Sequence, residues 1–401
     1  MRILMLSDLY PPIIGGGERH VESLSKELTK RGHRVTVCTV GSPGLSEYEK
    51  AGDLKIYRLE GFFQKLPILF RDPSRKWHPP ARDWSITRQL VSLLEAEKPD
   101  IVHAHGRILY SFLPLKEKTQ VPLVVTLHSY ALICPRTDLM RGNSICDKPL
   151  TRDCIGCGKD FYGLFKSILA YCGTRMNKGR LRLVDKFIAP SSFTREAFAR
   201  ALGVNDGDIV VIPDFCSADE YSRVEDMVNL PDDFILFVGA LAPHKGIDVL
   251  INAYRKLDTR TKLVLIGAKR PGYFYKSAED IQVIQNAPHG VVMEAMSRCR
   301  FAVFPSICPE TFGTVAVEAM SRRKAVVASD IGGLRDIVVD GKTGILVAPG
   351  DLDRLAQAMD YLLGNPEIAS KMGAKGLEVY IKNYTADVVV PKIIALYESL
   401  I

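Results

Sequence analysis

The sequence predicts an α/β protein of two domains, each organised around a mainly parallel β-sheet. Short β-branched segments alternate with longer amphipathic ones, which is typical of βαβ units. The 401 residues exceed what one hydrophobic core usually holds, and a polar stretch at 213–231 separates two strand-rich halves. We therefore expect Rossmann-like domains at 1–212 and 213–387 that face each other across a cleft, with a last helix at 388–401 packing back on the first domain.

The first half opens with a strand at Arg2–Ser7, a glycine turn at Gly15–Gly17 and a helix from about Glu18 to Lys30, which Gly32 ends. Its further strands are predicted at Arg34–Val40, Leu54–Arg58, Ile101–His105, Leu123–Leu127, Lys186–Pro190 and Ile209–Ile212.

The second half repeats the alternation of strands and helices. Its strands are predicted at Phe234–Gly239, Lys262–Gly267, Ile281–Ile284, Phe301–Pro305, Ala325–Ser329 and Ile345–Ala348. Its helices are predicted at Gly246–Leu257, Val291–Cys299, Thr314–Arg322 and Leu352–Leu363.

Composition narrows the class of protein. No apolar run approaches the ~20 residues that a membrane helix requires, and the N-terminus is typical of a first strand rather than of a signal peptide. We therefore expect a cytoplasmic protein. Nine cysteines, an odd number, argue against a disulfide framework in a reducing compartment.

The net charge of +7 has two interpretations, ordinary solubility or attraction to an anionic lipid or polyanionic acceptor. Basic residues concentrate in two parts of the first half, among apolar and aromatic side chains. They are Lys65, Arg71, Arg75, Lys76 and Arg82, then Arg175, Lys178, Arg180, Arg182 and Lys186. This pattern predicts peripheral contact with the inner face of an anionic membrane. No nucleic-acid module is recognisable, so nucleic acid is excluded as an expected partner.

The segment from Pro305 to Met320 carries the strongest indication of chemistry. Glu310 and Glu318 stand eight positions apart, and residues 311–313 open a predicted helix between them. Carboxylates in apolar surroundings need polar partners, while a helix N-terminus favours phosphate. Eight helical residues rise ~12 Å, whereas a retaining hydrolase places its carboxyls ~5 Å apart. We therefore expect separate roles, one glutamate on a sugar and the other on a ribose diol.

Other strand ends carry candidate ligand-binding groups. The glycines at 15–17 allow a ligand to approach the backbone, although a simple turn is the alternative. His128 ends a buried strand, where a core histidine is the alternative to a functional one. Lys245 directly precedes a predicted helix, so its ammonium and the helix N-terminus would act on the same anion. His103 is predicted to be a structural core residue, whereas for His105 a structural and a functional role are equally supported.

The motifs together resemble the retaining GT-B glycosyltransferases of family 4. The E-x7-E motif is Glu310 to Glu318 with Phe312 and Gly313 in place. Four further motifs of the family occur in the family's order along the chain. They are the N-terminal glycine loop, the T-L-H at His128, the lysine loop at Pro243–Gly246 and the segment D-I-G-G-L-R-D-I-V-V-D-G-K-T-G-I-L-V from Asp330. The resemblance covers essentially the whole chain.

The resemblance implies transfer of a sugar, with retained configuration, from a nucleoside diphosphate-sugar to a glycan or lipid-linked acceptor, as in cell-surface glycan assembly. It implies that Glu318 binds the ribose. Glu310, with the backbone at Phe312, Gly313 and Thr314, would hold the sugar and diphosphate. Lys245, Gly16 and the neighbouring Gly17 would contact the diphosphate, and His128 the sugar ring. The family uses no catalytic metal, and cations offset the charge of the leaving group.

One departure concerns the cations. The family usually has arginine where this chain has Ala240, and that arginine shares the diphosphate with the lysine. Lys269 and Arg270 follow another strand, at a place where the family usually has glycine and small acidic residues. We expect one of them to supply the missing charge.

Four cysteines at 134, 146, 154 and 157 form a second unusual feature. Cys154 and Cys157 have metal-ligand spacing, and four thiolates would make a closed structural zinc site. The spacing to Cys134 and Cys146 is irregular, so free thiols are the alternative.

Two further functional classes stay open from the sequence. A non-catalytic GT-B partner subunit is favoured by Ala240 and disfavoured by Glu310, Glu318, Lys245 and His128. A GT-B epimerase or phosphorylase would use a similar sugar-phosphate site, but it would need extra carboxylates, a phosphate site or a pyridoxal lysine that we do not identify.

Overall fold

The computed structural model describes residues 1–13, 15–66, 70, 76–216, 229–269 and 279–401. The chain divides into two compact units, Met1–Pro213 with Val390–Ile401, and Asp214–Val389. Among the described residues, no helix combines the length and apolar character that crossing a membrane requires.

The first unit contains an eight-stranded sheet of order β10-β9-β6-β5-β1-β2-β4-β3. All pairs are parallel except β3 with β4. The strands of this unit, including a small hairpin formed by β7 and β8, are β1 Arg2–Ser7, β2 Arg34–Val40, β3 Tyr48–Ala51, β4 Leu54–Leu59, β5 Ile101–His105, β6 Leu123–Thr126, β7 Met140–Arg141, β8 Ser144–Ile145, β9 Lys186–Ala189 and β10 Ile209–Val211.

Helices connect these strands as βαβ crossovers require. They are α1 Gly16–Lys30, α2 Trp84–Glu97, α3 Leu109–Lys116, α4 Asp153–Tyr162, α5 Leu164–Asn177 and α6 Ser192–Leu202. Helix α1 buries Val21, Leu24 and Leu28, whose helical spacing places them on one apolar face. Gly32, with φ +83°, follows the end of α1 in the left-handed conformation that glycine adopts without strain.

The second unit contains a six-stranded parallel sheet of order β13-β12-β11-β14-β15-β16. Its strands are β11 Phe234–Val238, β12 Lys262–Ile266, β13 Ile281–Ile284, β14 Ala302–Phe304, β15 Val326–Ser329 and β16 Gly344–Val347. Its helices are α7 Ile247–Tyr254, α8 His289–Arg298, α9 Thr314–Ser321, α10 Leu334–Ile337, α11 Leu352–Gly364 and α12 Pro366–Asn383. A terminal helix, α13 Ala386–Glu398, begins in this unit and ends in the first.

Apolar layers cover both faces of the second sheet. One layer joins Phe234, Leu236 and Val264 to α8, α9 and α12, and the other joins Ile235 and Phe237 to α7 and α11. The strands therefore read as continuous apolar runs, because parallel strands are buried on both faces.

Candidate functional site

The loops that carry the predicted donor residues follow two adjacent strands of the second unit. The chain runs from β11 outwards to β12 on one side, while β14 continues the sheet on the other side. The strand order thus reverses between β11 and β14, and ligands of open α/β sheets bind outside the carboxyl ends at such a point. Lys245 follows β11, and Glu310 follows β14.

Lys245 and Glu310 form an ion pair at this edge of the sheet. The Lys245 Nζ lies 2.5 Å from Glu310 Oε1, and the two side chains are 24% and 20% exposed. The Ser306 hydroxyl donates to the same carboxylate oxygen at 2.6 Å. Burial alone would raise the pKa of Glu310, but the attraction of Lys245 and these hydrogen bonds hold that pKa below its usual value. Glu310 is therefore a fixed carboxylate beside a fixed ammonium.

The backbone brings the lysine loop close to the end of β14. Gly246 has φ +72°, and a Cβ at this position would lie 1.8 Å from the carbonyl oxygen of Pro305. The Ile307 N–H donates to the carbonyl of His244 at 3.0 Å. Any side chain at 246 would push the two loops apart, so glycine is required for the ion pair to form.

Glu310 lies outside the helix, and this corrects one expectation from the sequence. Helix α9 begins at Thr314, because Gly313 has φ +121°, which is incompatible with a helical residue. A helical rise of ~12 Å therefore does not describe the separation of the two glutamates. Instead, Glu310 stands in the loop before the N-terminus of α9, and Glu318 lies within the helix.

Gly332 and Gly333, which follow β15, pack closely against the loop that contains Glu310. The Gly333 N–H donates to the Glu310 carbonyl at 2.8 Å. A Cβ at Gly332 would lie 2.6 Å from the Glu310 backbone nitrogen, and one at Gly333 would lie 2.4 Å from the Phe312 carbonyl oxygen. Phe312 itself is buried in the core. Close backbone packing thus fixes the loop that presents the carboxylate.

Glu318 has a partner that the sequence did not indicate. His289, the first residue of α8, places its Nε2 2.8 Å from Glu318 Oε1, and both side chains are nearly buried. The two residues are 29 positions apart and belong to different helices. Because the imidazole bonds one carboxylate oxygen, it fixes the orientation of the Glu318 side chain.

Ala240, where the family usually has arginine, and Lys269, one of its two predicted replacements, lie on neighbouring segments. Leu241, next to Ala240, forms a parallel β-bridge with Lys269, and its N–H donates to the Ala268 carbonyl at 2.9 Å. Lys269 is exposed. The structure therefore places a cation beside the segment in which the arginine is absent. Arg270, the other predicted replacement, lies outside the described residues.

In the first unit, the predicted residues also follow strands at a reversal of strand order, here between β1 and β5. Gly16 and Gly17 open α1, and a Cβ at Gly17 would lie 3.4 Å from the Cβ of His128. A Cβ at Gly16 would meet no atom within 4 Å. The glycine turn and His128 thus form one cluster.

Three further histidines surround His128. Its Nε2 lies 3.0 Å from the Nδ1 of His105, and its ring centroid lies 5.0 Å from that of His20. His103 is fully buried, with its ring nitrogens bonded to the hydroxyls of Tyr397 and Thr126. Burial and the neighbouring histidines hold the pKa of both His103 and His105 well below the usual value. These two imidazoles are therefore neutral.

Asp8, at the same edge of the first sheet as His128, is a residue that the sequence analysis did not identify. It follows β1, is buried, and accepts a hydrogen bond from the Ile108 N–H at 2.6 Å. Burial raises its pKa to about 7, against the lowering effect of the Ile108 and Arg107 backbone and the Arg107 charge. Nothing in its sequence context distinguishes it from an ordinary aspartate of a turn.

The two basic-aromatic segments of the first unit meet in space. The Asn177 amide donates to the Pro80 carbonyl at 3.1 Å, and the Lys166 ammonium donates to the Phe70 carbonyl at 3.3 Å. Arg82 lies over the Trp84 ring at 3.5 Å. Arg71 and Arg75 lie outside the described residues. The described residues 62–66, 70 and 76–84 and the segment 164–182 thus contribute to one surface.

Helix α5 carries an apolar stripe on its outer face. Its buried positions are the small polar residues Ser167, Thr174 and Asn177. The exposed large side chains at helical spacing are Leu164, Phe165, Ile168, Leu169 and Met176, with Phe165 at 69% and Met176 at 79% exposure. Arg175, Arg180 and Arg182 are exposed beside them. We call these five apolar side chains the α5 stripe.

The four clustered cysteines line one cavity in the first unit, together with Arg136 and Met140. These four cysteines are free thiols in the structure. Burial raises the pKa of Cys134 to about 11, and burial also raises that of Cys146. Without a bound ion, these two thiols are therefore protonated at neutral pH.

Two family models match consecutive parts of the chain. The model described as Glycosyltransferase Family 4 matches residues 14–220, which is more than half of the chain, and the model described as Glycosyl transferases group 1 matches residues 221–379.

Individual proteins agree with this assignment over their full length. An uncharacterized glycosyltransferase of Methanocaldococcus jannaschii is 29% identical, over 100% of this chain and 99% of the relative. The phosphatidyl-myo-inositol mannosyltransferase of Mycobacterium leprae is 26% identical, over 100% and 97%. The crystal structure of Anabaena HepE in complex with UDP and glucose superposes with a TM-score of 0.70 at 18% identity, covering both chains fully. The fold is thus that of the GT-B glycosyltransferases, and the chain belongs to glycosyltransferase family 4, whose members are enzymes of the hexosyl-transferring class.

Proposed function

We propose that this enzyme transfers a hexosyl group from a nucleoside diphosphate-sugar to a glycan or lipid-linked acceptor, with retention of the anomeric configuration. The observation that carries the proposal is the Lys245–Glu310 ion pair, which stands where the strand order of the second unit reverses and directly before α9. A cation, a carboxylate and a helix N-terminus at one point match the diphosphate and the sugar of such a donor.

The donor extends from the Lys245–Glu310 pair towards α8 and α9. Lys245 and the backbone N–H groups at Gly313 and Thr314 bind the diphosphate, because a helix N-terminus carries partial positive charge. Glu310 accepts hydrogen bonds from the sugar hydroxyls. Glu318, oriented by His289, accepts from the ribose hydroxyls. Anabaena HepE, of the same fold, was solved with UDP and glucose, which agrees with this class of ligand.

The transfer step needs charge stabilisation at the leaving group more than it needs an added nucleophile. The bond between the anomeric carbon and the phosphate oxygen breaks, and the acceptor oxygen bonds to the same face of that carbon. The proton of the acceptor hydroxyl passes to the leaving phosphate. Lys245, with Lys269 or Arg270, offsets the charge of the nucleoside diphosphate, so this step requires no catalytic metal. His128 and Gly16 are the residues of the first unit assigned to the sugar and the diphosphate.

The first unit contacts the membrane surface that carries the lipid-linked acceptor. The α5 stripe and Trp84, which is 69% exposed, present apolar surface beside the exposed arginines at 175, 180 and 182. Apolar side chains flanked by cations suit the interface of an anionic bilayer. The mycobacterial relative is named for a phosphatidyl-inositol acceptor, which agrees with a lipid-linked substrate.

The decisive test uses the purified full-length chain with UDP-, GDP- and ADP-hexoses and a lipid-linked or glycan acceptor. We expect one donor to yield product, and proton NMR to show the same anomeric configuration in product and donor. Without acceptor, the same donor should release its nucleoside diphosphate slowly. Product of inverted configuration would overturn retention, and no release or transfer from any donor of the panel would overturn the proposed activity.

A further inference from the structure

The cysteines at 134, 146, 154 and 157 surround a cavity of about 20 Å³. A space of this size holds one water-sized particle. The four residues come from three separate pieces of local structure in the first unit. They lie after the short helical turn at 130–132, after the β7–β8 hairpin, and within α4. The fold therefore brings together thiols that are up to 23 positions apart in the sequence.

Local backbone structure holds each piece in place. The Cys134 N–H donates to the Tyr130 carbonyl at 2.7 Å, and the Cys146 N–H donates to the Leu139 carbonyl at 2.8 Å. Cys154 and Cys157 are three positions apart near the start of α4, so they project from the same side of that helix. The N-terminus of a helix favours negative charge, which suits a pair of thiolates.

The lining of the cavity is cationic. Arg136 donates from Nη1 to the Cys157 sulfur at 3.5 Å, and Arg141 and Lys148 also line the cavity, against the single carboxylate of Asp153. A metal ion bound by four thiolates keeps a net negative charge, which such cations offset. A hydrogen bond to a ligating sulfur is also the usual way in which surrounding groups orient a metal ligand.

The described side chains are in an open arrangement. No three of the four sulfur atoms lie within 4.8 Å of one another among the described residues. Rotation of a cysteine between staggered χ1 rotamers moves its sulfur while leaving the backbone in place. Each thiol that becomes a ligand releases its proton to solvent.

From this arrangement we infer that Cys134, Cys146, Cys154 and Cys157 bind one zinc ion in a closed structural site. Four sulfur ligands select a thiophilic ion that prefers tetrahedral geometry. The ion ties the β7–β8 hairpin to the start of α4. Helix α4 in turn packs on α5 where Gly158 meets Ser167, since a Cβ at 158 would lie 2.8 Å from the Ser167 hydroxyl. The site thus braces the helix that carries the α5 stripe.

Metal analysis of the full-length chain tests the inference. The chain is purified in reducing buffer without chelators and without a metal-affinity column, and its metals are measured by plasma mass spectrometry. We expect about one zinc ion per chain, as a closed four-cysteine site binds. Zinc near background, iron in its place, or disulfides among these cysteines would each overturn the inference.

Variants and thiol alkylation identify the ligands. Cys154→Ser and Cys157→Ser should each lose the zinc, while Cys172→Ser, which alters an exposed thiol of α5, should retain it. Should the first two variants fail to fold, alkylation of the wild-type chain supplies the answer. The four cysteines should resist alkylation until a strong chelator is added, whereas Cys172 should react in both states. Zinc retained in both serine variants, or equal reactivity of the four thiols with and without the chelator, would refute the assignment.

Discussion

The Lys245 ammonium lies 2.5 Å from the Glu310 carboxylate, although the two residues are 65 positions apart in the chain. They follow strands β11 and β14, which are adjacent in the sheet and between which the strand order reverses. The pair is thus a product of the parallel topology, and it lies where we propose that the diphosphate and the sugar of the donor bind.

Replacing Lys245 by methionine should lower kcat/KM by about 10²- to 10³-fold, because one preorganised charge at the leaving group is lost. Steady-state kinetics with the preferred donor measures this change. Lys256→Met is the matched control, since Lys256 pairs with Asp353 on the surface of the same unit. If both variants had the same kinetics, Lys245 would not take part in stabilising the leaving group.

Replacing Glu318 by alanine should weaken donor binding by about 10- to 100-fold, the range expected for loss of a charged hydrogen bond. The 2′-deoxy nucleoside diphosphate provides a sharper comparison. Wild-type enzyme should bind it more weakly than the ribonucleotide, and Glu318→Ala should bind both equally. If the variant still discriminates between them in calorimetry, Glu318 does not contact the ribose.

The double variant Lys269→Ala with Arg270→Ala should raise the donor Kd, and adding Ala240→Arg should restore it. The Leu241–Lys269 bridge places Lys269 beside the segment that contains Ala240, so a cation at 240 can replace one at 269. Lys262→Ala, at the opposite end of β12, serves as the control for loss of a surface charge. Unchanged turnover and affinity in the double variant would show that neither residue supplies the missing charge.

Asp8 should make the stability of the first unit depend on pH. Burial raises its folded pKa from 3.8 to about 7, so between these values the folded chain holds a proton that the unfolded chain has lost. This contribution to the free energy of unfolding therefore falls as pH rises from about 4 to 7. Asp8→Asn should remove it, and urea unfolding at pH 5 and pH 8 compares the two proteins. The variant should gain stability relative to wild type at pH 8; a difference that does not change with pH would disprove the shift.

Removing the α5 stripe should weaken binding to anionic vesicles. Phe165→Ser with Met176→Ser deletes two of its most exposed side chains, and co-sedimentation with phosphatidylglycerol vesicles should fall severalfold relative to wild type. Ile381→Ser, an exposed apolar position on α12, is the control. Equal co-sedimentation of all three proteins would exclude the stripe as a membrane contact.

The sequence allowed most strands to be predicted within one or two residues, because buried β-branched runs end at glycine, proline or polar residues. The Ile101–His105 and Ile281–Ile284 strands match their predicted bounds. Helices α2 to α6, α10 and α12 were not predicted. Helix α5 also has the reverse of the usual pattern, because its apolar residues face outwards and small polar ones face the protein.

The pairings within the site were beyond sequence reasoning. His289 meets Glu318 only because α8 and α9 are neighbours, and no local pattern specifies that contact. The predicted helix at Thr314–Arg322 begins where α9 begins, but the rise of ~12 Å that treated all eight residues from Glu310 to Glu318 as helical was wrong. The positive φ of Gly313, whose backbone packs against Leu334, keeps the residues before Thr314 out of the helix. The residue types were readable from the chain, but their partners depend on tertiary packing.

Calorimetric titration of UDP, GDP and ADP into the wild-type chain and into the double variant Lys245→Met with Glu318→Ala tests the donor site most directly. The account predicts that one nucleotide binds the wild type and binds the double variant at least about 100-fold more weakly, since each lost contact contributes about 1.5–3 kcal/mol. Binding of equal strength to both proteins, or binding of none of the three nucleotides to the wild type, would contradict it.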